Sequence, residues 1–306
     1  MNSHEEGRQW LRACSLVVAD SGGSGLDLGE LRVVFATKKG DVETPNSAEI
    51  KVYNLSEATA SRMTREFKRL VLQAGYQGNV GVIFDGTIRQ CRQGRENGTD
   101  AWLEIIAADG DRAYNFATVN TTLSAGSLPA DRVAACQRSF ADKGAAAGHV
   151  PDLGGQPLPR GKVMYGMARK HMRTEAATAD ASWSIQDGKM QMLMRSGYLP
   201  GEAVALTHET GLIGTPEQTN EGVKVRCLLN PRLRVGGRIK LDNKSIQAAK
   251  TDLKAGAQRP PKMDQDGLYR ILSVEFSGDT RGNDWYADMM CIGLDDTSRL
   301  PLDVTK

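Results

Sequence analysis

Chemistry in this chain of 306 residues would need reactive side chains at workable spacing, and the supply is thin. The stretch "SGDTRGNDW" at 277–285 gathers Asp279, Arg281 and Asp284, which invites a metal reading. A calcium loop of the helix–loop–helix kind wants acids at alternating positions, a central Gly and a closing Glu. Here no Glu closes the loop, and Arg281 stands between the two acids as an internal counter-ion. The stretch reads instead as the polar tip of a β-hairpin. Gly278 and Gly282 are expected to supply positive φ, and Asp279 to bond nearby backbone amides.

Other nucleophiles and ligands are scattered. The four histidines (His4, His149, His171, His208) form no H-E-x-x-H, and His208 and Glu209, read as strand neighbours, would point to opposite faces. Five cysteines, with no C-x-x-C pair, are expected to be reduced thiols packed as small apolar side chains. There is no G-x-S-x-G elbow and no P-loop lysine. "GGSG" at 22–25 opens no helix and reads as a turn. Two carboxylates far apart in sequence could still form a glycosidase pair, but an aromatic content of 6% is low for a sugar cleft. No catalytic, cofactor-binding or metal-binding residue is assigned. A chain this long without recognisable chemistry points to a structural or binding role.

The elements that would position these residues are mostly strands. In "NSAEIKVYNLS" (46–56), Ala48, Ile50 and Val52 alternate with Glu49, Lys51 and Tyr53, the period of a half-buried antiparallel strand. Further strands are expected at 31–41, 69–77, 80–91 and 101–110. A short helix starts at Ser56, with Met63 and Phe67 one turn apart. The middle of the chain is mixed. It has a helix after Ser127 and Pro129 that buries Val133, Cys136 and Phe140, and a second helix carrying Met164, Met167, Ala168 and Met172. A hairpin is expected to turn at Asp187-Gly188. The last third returns to strands, and all four tryptophans (Trp10, Trp102, Trp183, Trp285) fall in strand contexts that suit core or interface anchors.

Length predicts two or three domains: a strand-rich unit over 8–115, a small α+β unit over 116–198, and a second strand-rich unit over 199–306. A polar stretch at 244–262 interrupts the last of these as a long loop. Hydrophobic residues at 40% and charged residues at 25% fit a soluble globular protein. No apolar run nears the roughly 20 residues of a membrane span. "MNSHEEGRQWLRAC" lacks the apolar core of a secretory signal, so folding in a cytosol is expected. Between Lys224 and Arg270 twelve Lys or Arg face four Asp, a local +8 against +2 for the whole chain. Such a stretch could follow phosphates, which makes a nucleic-acid-binding module a rival, though the solvated face of strands explains it more simply.

Two ordered regions resemble a known family. "PNSAEIKVYNLSEAT", "VLQAGYQGNVGVIFDGTI" and "DAWLEIIAADGDRAYNFATVNTTLSAG" are similar to the amino-terminal region of tailed-phage baseplate hub proteins. "TGLIGTPEQTNEGVKVRCLLNPRLRVGGRIKLDN" and "GLYRILSVEFSGDTRGNDWYADMMC" resemble its carboxy-terminal region. The match rests on Tyr53, Asn54, Leu55, Gly75, Tyr76, Phe84, Gly86, Leu229, Asn230, Pro231, Gly278, Asp279, Arg281, Gly282 and Trp285. The resemblance implies a mainly β fold, with two β-barrel domains like those of a tail tube plus a small α/β domain. It implies a non-enzymatic virion protein of the tail baseplate, assembled in the host cytoplasm. That protein would be a homotrimer joining the hexameric tail tube, or a tube-initiator protein, to a trimeric central spike among other baseplate proteins. It implies no cofactor, no membrane and no specific nucleic acid. A peptidoglycan hydrolase of the tail is the enzymatic rival.

Overall fold

The alternation read at 46–56 governs much of the molecule. The computed structural model describes residues 10–20, 25–247, 263, 264 and 266–294. The N-terminal part supplies β1 (Arg12–Asp20), β2 (Gly25–Asp27), β3 (Val33–Gly40), β4 (Ser47–Tyr53), β5 (Phe67–Tyr76), β6 (Asn79–Arg95) and β7 (Ala101–Ala108). The middle part supplies β8 (Thr118–Leu123), β9 (Ala146–Ala147), β10 (Lys162–Met167), β11 (Ala181–Gln186) and β12 (Lys189–Met194). The C-terminal part adds β13 (Val204–Ala205), β14 (Leu212–Thr219), β15 (Gly222–Leu228), β16 (Arg238–Lys240), β17 (Leu268–Asp279) and β18 (Trp285–Gly293). The helices are α1 (Glu57–Arg65), α2 (Asp111–Phe116), α3 (Pro129–Ala141) and α4 (Ala168–Thr178).

The fold is mainly β, and one 13-stranded sheet runs β14-β15-β18-β17-β3-β4-β7-β6-β5-β1-β2, with β16 branching from β17 and β13 pairing β16. Strands from opposite ends of the chain meet inside it. β17 pairs β16 through Leu268–Arg270 and β3 through Ser273–Asp279. A register shift between Ile271 and Ser273 marks the point where it changes partner, and an irregularity of this kind re-aims a strand. The ladders trace an open path, and among the described residues none closes a barrel. An isolated bridge, Glu217↔Gln247, brings β14 against the segment after β16.

Two cores follow from this pairing. The larger packs Ile50, Val52, Leu72 and Phe84 with Val225, Ile271, Phe276 and Trp285, so N- and C-terminal strands share one apolar interior. The smaller lies in the middle part, where Val133, Cys136 and Phe140 of α3 meet Met172 of α4 and Trp183 of β11.

Several sequence expectations need correction. α1 is capped by Ser56, whose side chain accepts from Thr59 N, but it ends at Arg65, and the buried Phe67 opens β5 instead of closing the helix. The cap of α3 is Leu128 and not Ser127, with the Asp131 carboxylate accepting from the Leu128 amide. Met164 and Met167 belong to β10, which pairs β8, so the apolar stripe of α4 is shorter than its periodicity suggested. His208 and Glu209 sit in a short 3-10 turn rather than a strand. Trp10 is 64% exposed ahead of β1 and anchors no core. Of the polar stretch at 244–262, and of "GGSG" at 22–25, most residues lie outside the described ones.

Candidate functional site

The hairpin tip between β17 and β18 does not stand free in solvent. Its backbone is closed by the Asp279 amide donating to Asp284 O at 2.8 Å. Its Thr280 then exchanges hydrogen bonds with Val33 at the start of β3, N to Val33 O at 3.0 Å and Val33 N to Oγ1 at 2.9 Å. Two arginines from the N-terminal part grip it. Arg32 donates through Nε (3.3 Å) and Nη2 (2.8 Å) to the two Asp279 oxygens while lying 4.7 Å over the Tyr53 ring. Arg12 donates to Gly282 O (2.6 Å) and Asn283 O (2.8 Å) and covers the Trp285 ring at 5.5 Å.

Trp285 is the hub of this contact. It is fully buried, its Nε1 donates to Gly75 O at 3.2 Å, and Phe35 meets it edge-on at 5.4 Å. Close by, Leu229 N donates to Trp285 O, Asn79 Nδ2 donates to Asn230 Oδ1 at 3.2 Å, and Pro231 crosses Gly81 so closely that a Cβ there would be crowded. Thus Tyr53, Gly75, Tyr76, Asn230, Pro231, Gly278, Asp279, Arg281, Gly282 and Trp285 gather along one seam between the N- and C-terminal strands. Asn54, Phe84 and Gly86 lie elsewhere. Asn54, at φ 57°, turns the chain out of β4 and accepts from Ala101 N, while Gly86 gives the Phe84 ring the space a Cβ would take.

Two details of the tip differ from the sequence reading. Neither Gly278 nor Gly282 has a positive φ. Glycine is needed there for close approach, because a Cβ on Gly278 would strike the Phe35 and Trp285 rings and one on Gly282 the Asp279 carboxylate. Nor is Arg281 the counter-ion of Asp279. Its backbone amide donates to Oδ1 at 2.9 Å, but its guanidinium reaches Glu30 O, and Arg32 holds the charge. Burial alone would raise the Asp279 pKa, yet the Arg32 guanidinium and the Arg281 and Gly282 amides hold it below the usual carboxylate range.

A second cluster, not anticipated from sequence, fixes the middle part to the sheet. Arg270 of β17 and Asp41 after β3 form an ion pair at 2.8 Å whose side chains are 1% and 3% exposed. Arg270 Nη1 also donates to Met194, Arg195 and Gly197 carbonyls, and Ser182 Oγ donates to Asp41 at 2.7 Å. The Asp187-Gly188 turn then sits on Asp109, whose carboxylate accepts both turn amides at 2.6 and 2.9 Å, while Lys39 pairs Asp187 at 2.6 Å. Burial pushes Asp109 up to about 7, against the pull of the amides and Lys39. One signal was available: Arg270 interrupts the apolar run "LYRIL", and a charge on a buried strand needs a partner.

Most polar groups in these two clusters hold backbone or one another, while Asp41 Oδ1 and Arg270 Nε are buried without a partner among the described residues. The thiols are passive, since burial raises Cys14, Cys136 and Cys227 to about 12 and Cys291 higher still. Among the described residues no group of three His, Cys, Asp or Glu could hold a metal. Three cations of the basic run from 224 are engaged separately, since Arg270 is buried, Arg226 pairs Asp288 and Arg238 stacks on Tyr198, while Lys250, Lys254, Arg259 and Lys262 lie outside the described residues.

No protein-family model matches the sequence, and no curated protein sequence does either. Solved structures do match. A 43 kDa tail protein of prophage MuSo2 from Shewanella oneidensis aligns over 93% of this chain and 98% of its own, with TM-score 0.57 and 9% identity. A tail protein from Neisseria meningitidis MC58 aligns over 92% and 96%, with TM-score 0.58 and 9% identity. An E. coli component of the type VI secretion system, described as structurally similar to T4 phage tail proteins gp27 and gp5, aligns over 86% and 73%, with TM-score 0.52 and 11% identity. The chain therefore shares the fold of these tail and type VI secretion proteins.

Proposed function

We propose that the protein is a non-enzymatic structural component of a tail, a baseplate hub that joins the tail tube to the central spike. The observation that carries this reading is the likeness to two tail proteins over nearly the whole length of all three chains. It is supported by the way residues matching the hub pattern, far apart in sequence, meet at the seam around Trp285. The side chains gathered there are spent on holding backbone, as Arg12 and Trp285 Nε1 do. The family-motif positions are structural on this reading.

The N-terminal strands over 8–115 and the C-terminal strands over 199–306 then act as two tube-like barrels, with 116–198 as the small domain beside them. The Glu217↔Gln247 bridge favours curling of the C-terminal strands towards closure. Three chains of two such units would present six to a hexameric tube and three-fold symmetry to a spike. The partners are tube or tube-initiator, spike and other baseplate proteins in the virion tail. Light scattering of the purified protein, alone and with its neighbouring virion proteins, tests this. A trimer alone or on adding the spike is expected, and six copies per ring would overturn it.

A further inference from the structure

Two adjoining cavities, of about 560 and 430 Å³, form one groove where the N-terminal, middle and C-terminal parts meet around the Asp187-Gly188 turn. They share Asp85, Asp187 and Lys189 in their linings. The charges in this groove are not balanced. All three of its carboxylates are committed: Asp85 to Arg69, Asp187 to Lys39, and Asp109 to the two turn amides. Five further cations line the groove, Lys68, Arg112, Lys143, Lys189 and Arg234, and among the described residues none of them is in an ion pair. They come from all three parts of the chain, so the excess of positive charge exists only in the folded molecule. Gly144 and Gly188 in its lining leave open space, because a Cβ on either would meet nothing within 4 Å.

We propose that this groove receives an acidic polypeptide segment of a partner protein. Clefts lined by one sign of charge focus their field and recruit the opposite charge. A phosphate backbone is the poorer fit, since duplex DNA carries a charge roughly every 1.7 Å and needs an unbroken cationic track. Here three carboxylates sit among the cations, which suits carboxylates arriving singly on side chains. An occupant of this kind would touch all three parts of the chain at once and hold their arrangement.

The test uses the full chain and a fluorescent Glu-rich 12-residue peptide, with binding read by anisotropy across a salt series. The Lys143→Glu/Lys189→Glu variant is expected to weaken binding at least tenfold with an unchanged melting temperature. Lys224→Glu, on the exposed face of β15 outside the groove, is expected to leave it within twofold. If the double variant melts early, Arg112→Gln and Lys68→Gln, both exposed, replace it and must each lower affinity severalfold. Equal loss with Lys224→Glu would overturn the proposal, as would affinity no better than that of a Ser-rich control peptide. Tighter binding of a single- or double-stranded DNA oligonucleotide at the same groove would replace it with a phosphate track.

Discussion

Trp285 and the residues touching it form the most demanding environment in the molecule, and substitutions there should rank in a definite order. Trp285→Ala removes a fully buried ring together with its bond to Gly75 O and should cost roughly 3–5 kcal/mol. Gly278→Val comes next, because its Cβ would be driven between two rings rather than because of its φ. Asp279→Asn leaves Arg32 with a weaker partner and should cost about 1–3 kcal/mol. The exposed Asp284→Asn should stay within about 0.5 kcal/mol. Urea midpoints of the four variants check the ranking, and added calcium should change none of them. The two unusual carboxylates also pull stability in opposite directions with pH. Asp279 has a folded pKa below its ordinary value, so its contribution is present above about pH 4 and is lost as pH falls through that folded value. Asp109, raised to about 7 from 3.8, binds its proton more tightly when folded, so its contribution is largest at low pH and is lost as pH rises from about 4 to 7. Asp279→Asn should flatten the acid limb of a stability–pH curve, and Asp109→Asn the limb between pH 4 and 7.

At the scale of elements, the Asp187-Gly188 hairpin is a docking device as much as a turn. Positive φ at both residues (50° and 72°) is the geometry of a tight two-residue turn, and its amides and carboxylate then engage Asp109 and Lys39. Asp187→Ala would strand the buried Lys39 ammonium and should cost about 3 kcal/mol, whereas adding Lys39→Met should recover much of that loss. A double-mutant cycle in urea measures the coupling, and a coupling near zero would show that the pair is decorative. This turn was legible in sequence because local chemistry alone sets it, and so were β4 and the cap of α1. The end of α1 was not. Met63 and Phe67 suit one helix face, but the apolar run that follows Phe67 finds cross-strand partners in β1 and β6, and tertiary pairing overrode the helical period. β10 escaped for a related reason: its methionines carry no strand preference, and only pairing with β8 makes it a strand. Arg12 and Arg32 were invisible as site residues, since nothing in sequence says that their targets lie near residue 280.

For the whole molecule, the β3–β17 ladder makes the two ends of the chain one structural unit. Amides in β3 and β17 should therefore exchange with solvent hydrogen at a common opening free energy, even though the segment between them belongs partly to a separate core. Hydrogen exchange followed by mass spectrometry reads this directly, and early exchange of β17 with β3 still protected would show two independent units. The same ladder also shapes how the protein comes into being. Arg32 and Asp279, which clamp its end, are 247 residues apart. At a synthesis rate of roughly 5–20 residues per second, β3 leaves the ribosome about 12–50 s before the strand that covers it. During that interval its edge is an unpaired row of amides and carbonyls, the kind of template on which neighbouring nascent chains pair wrongly. Co-expression of a holdase, or slower synthesis, is therefore expected to raise the soluble yield, as the soluble fraction measured with and without it would show.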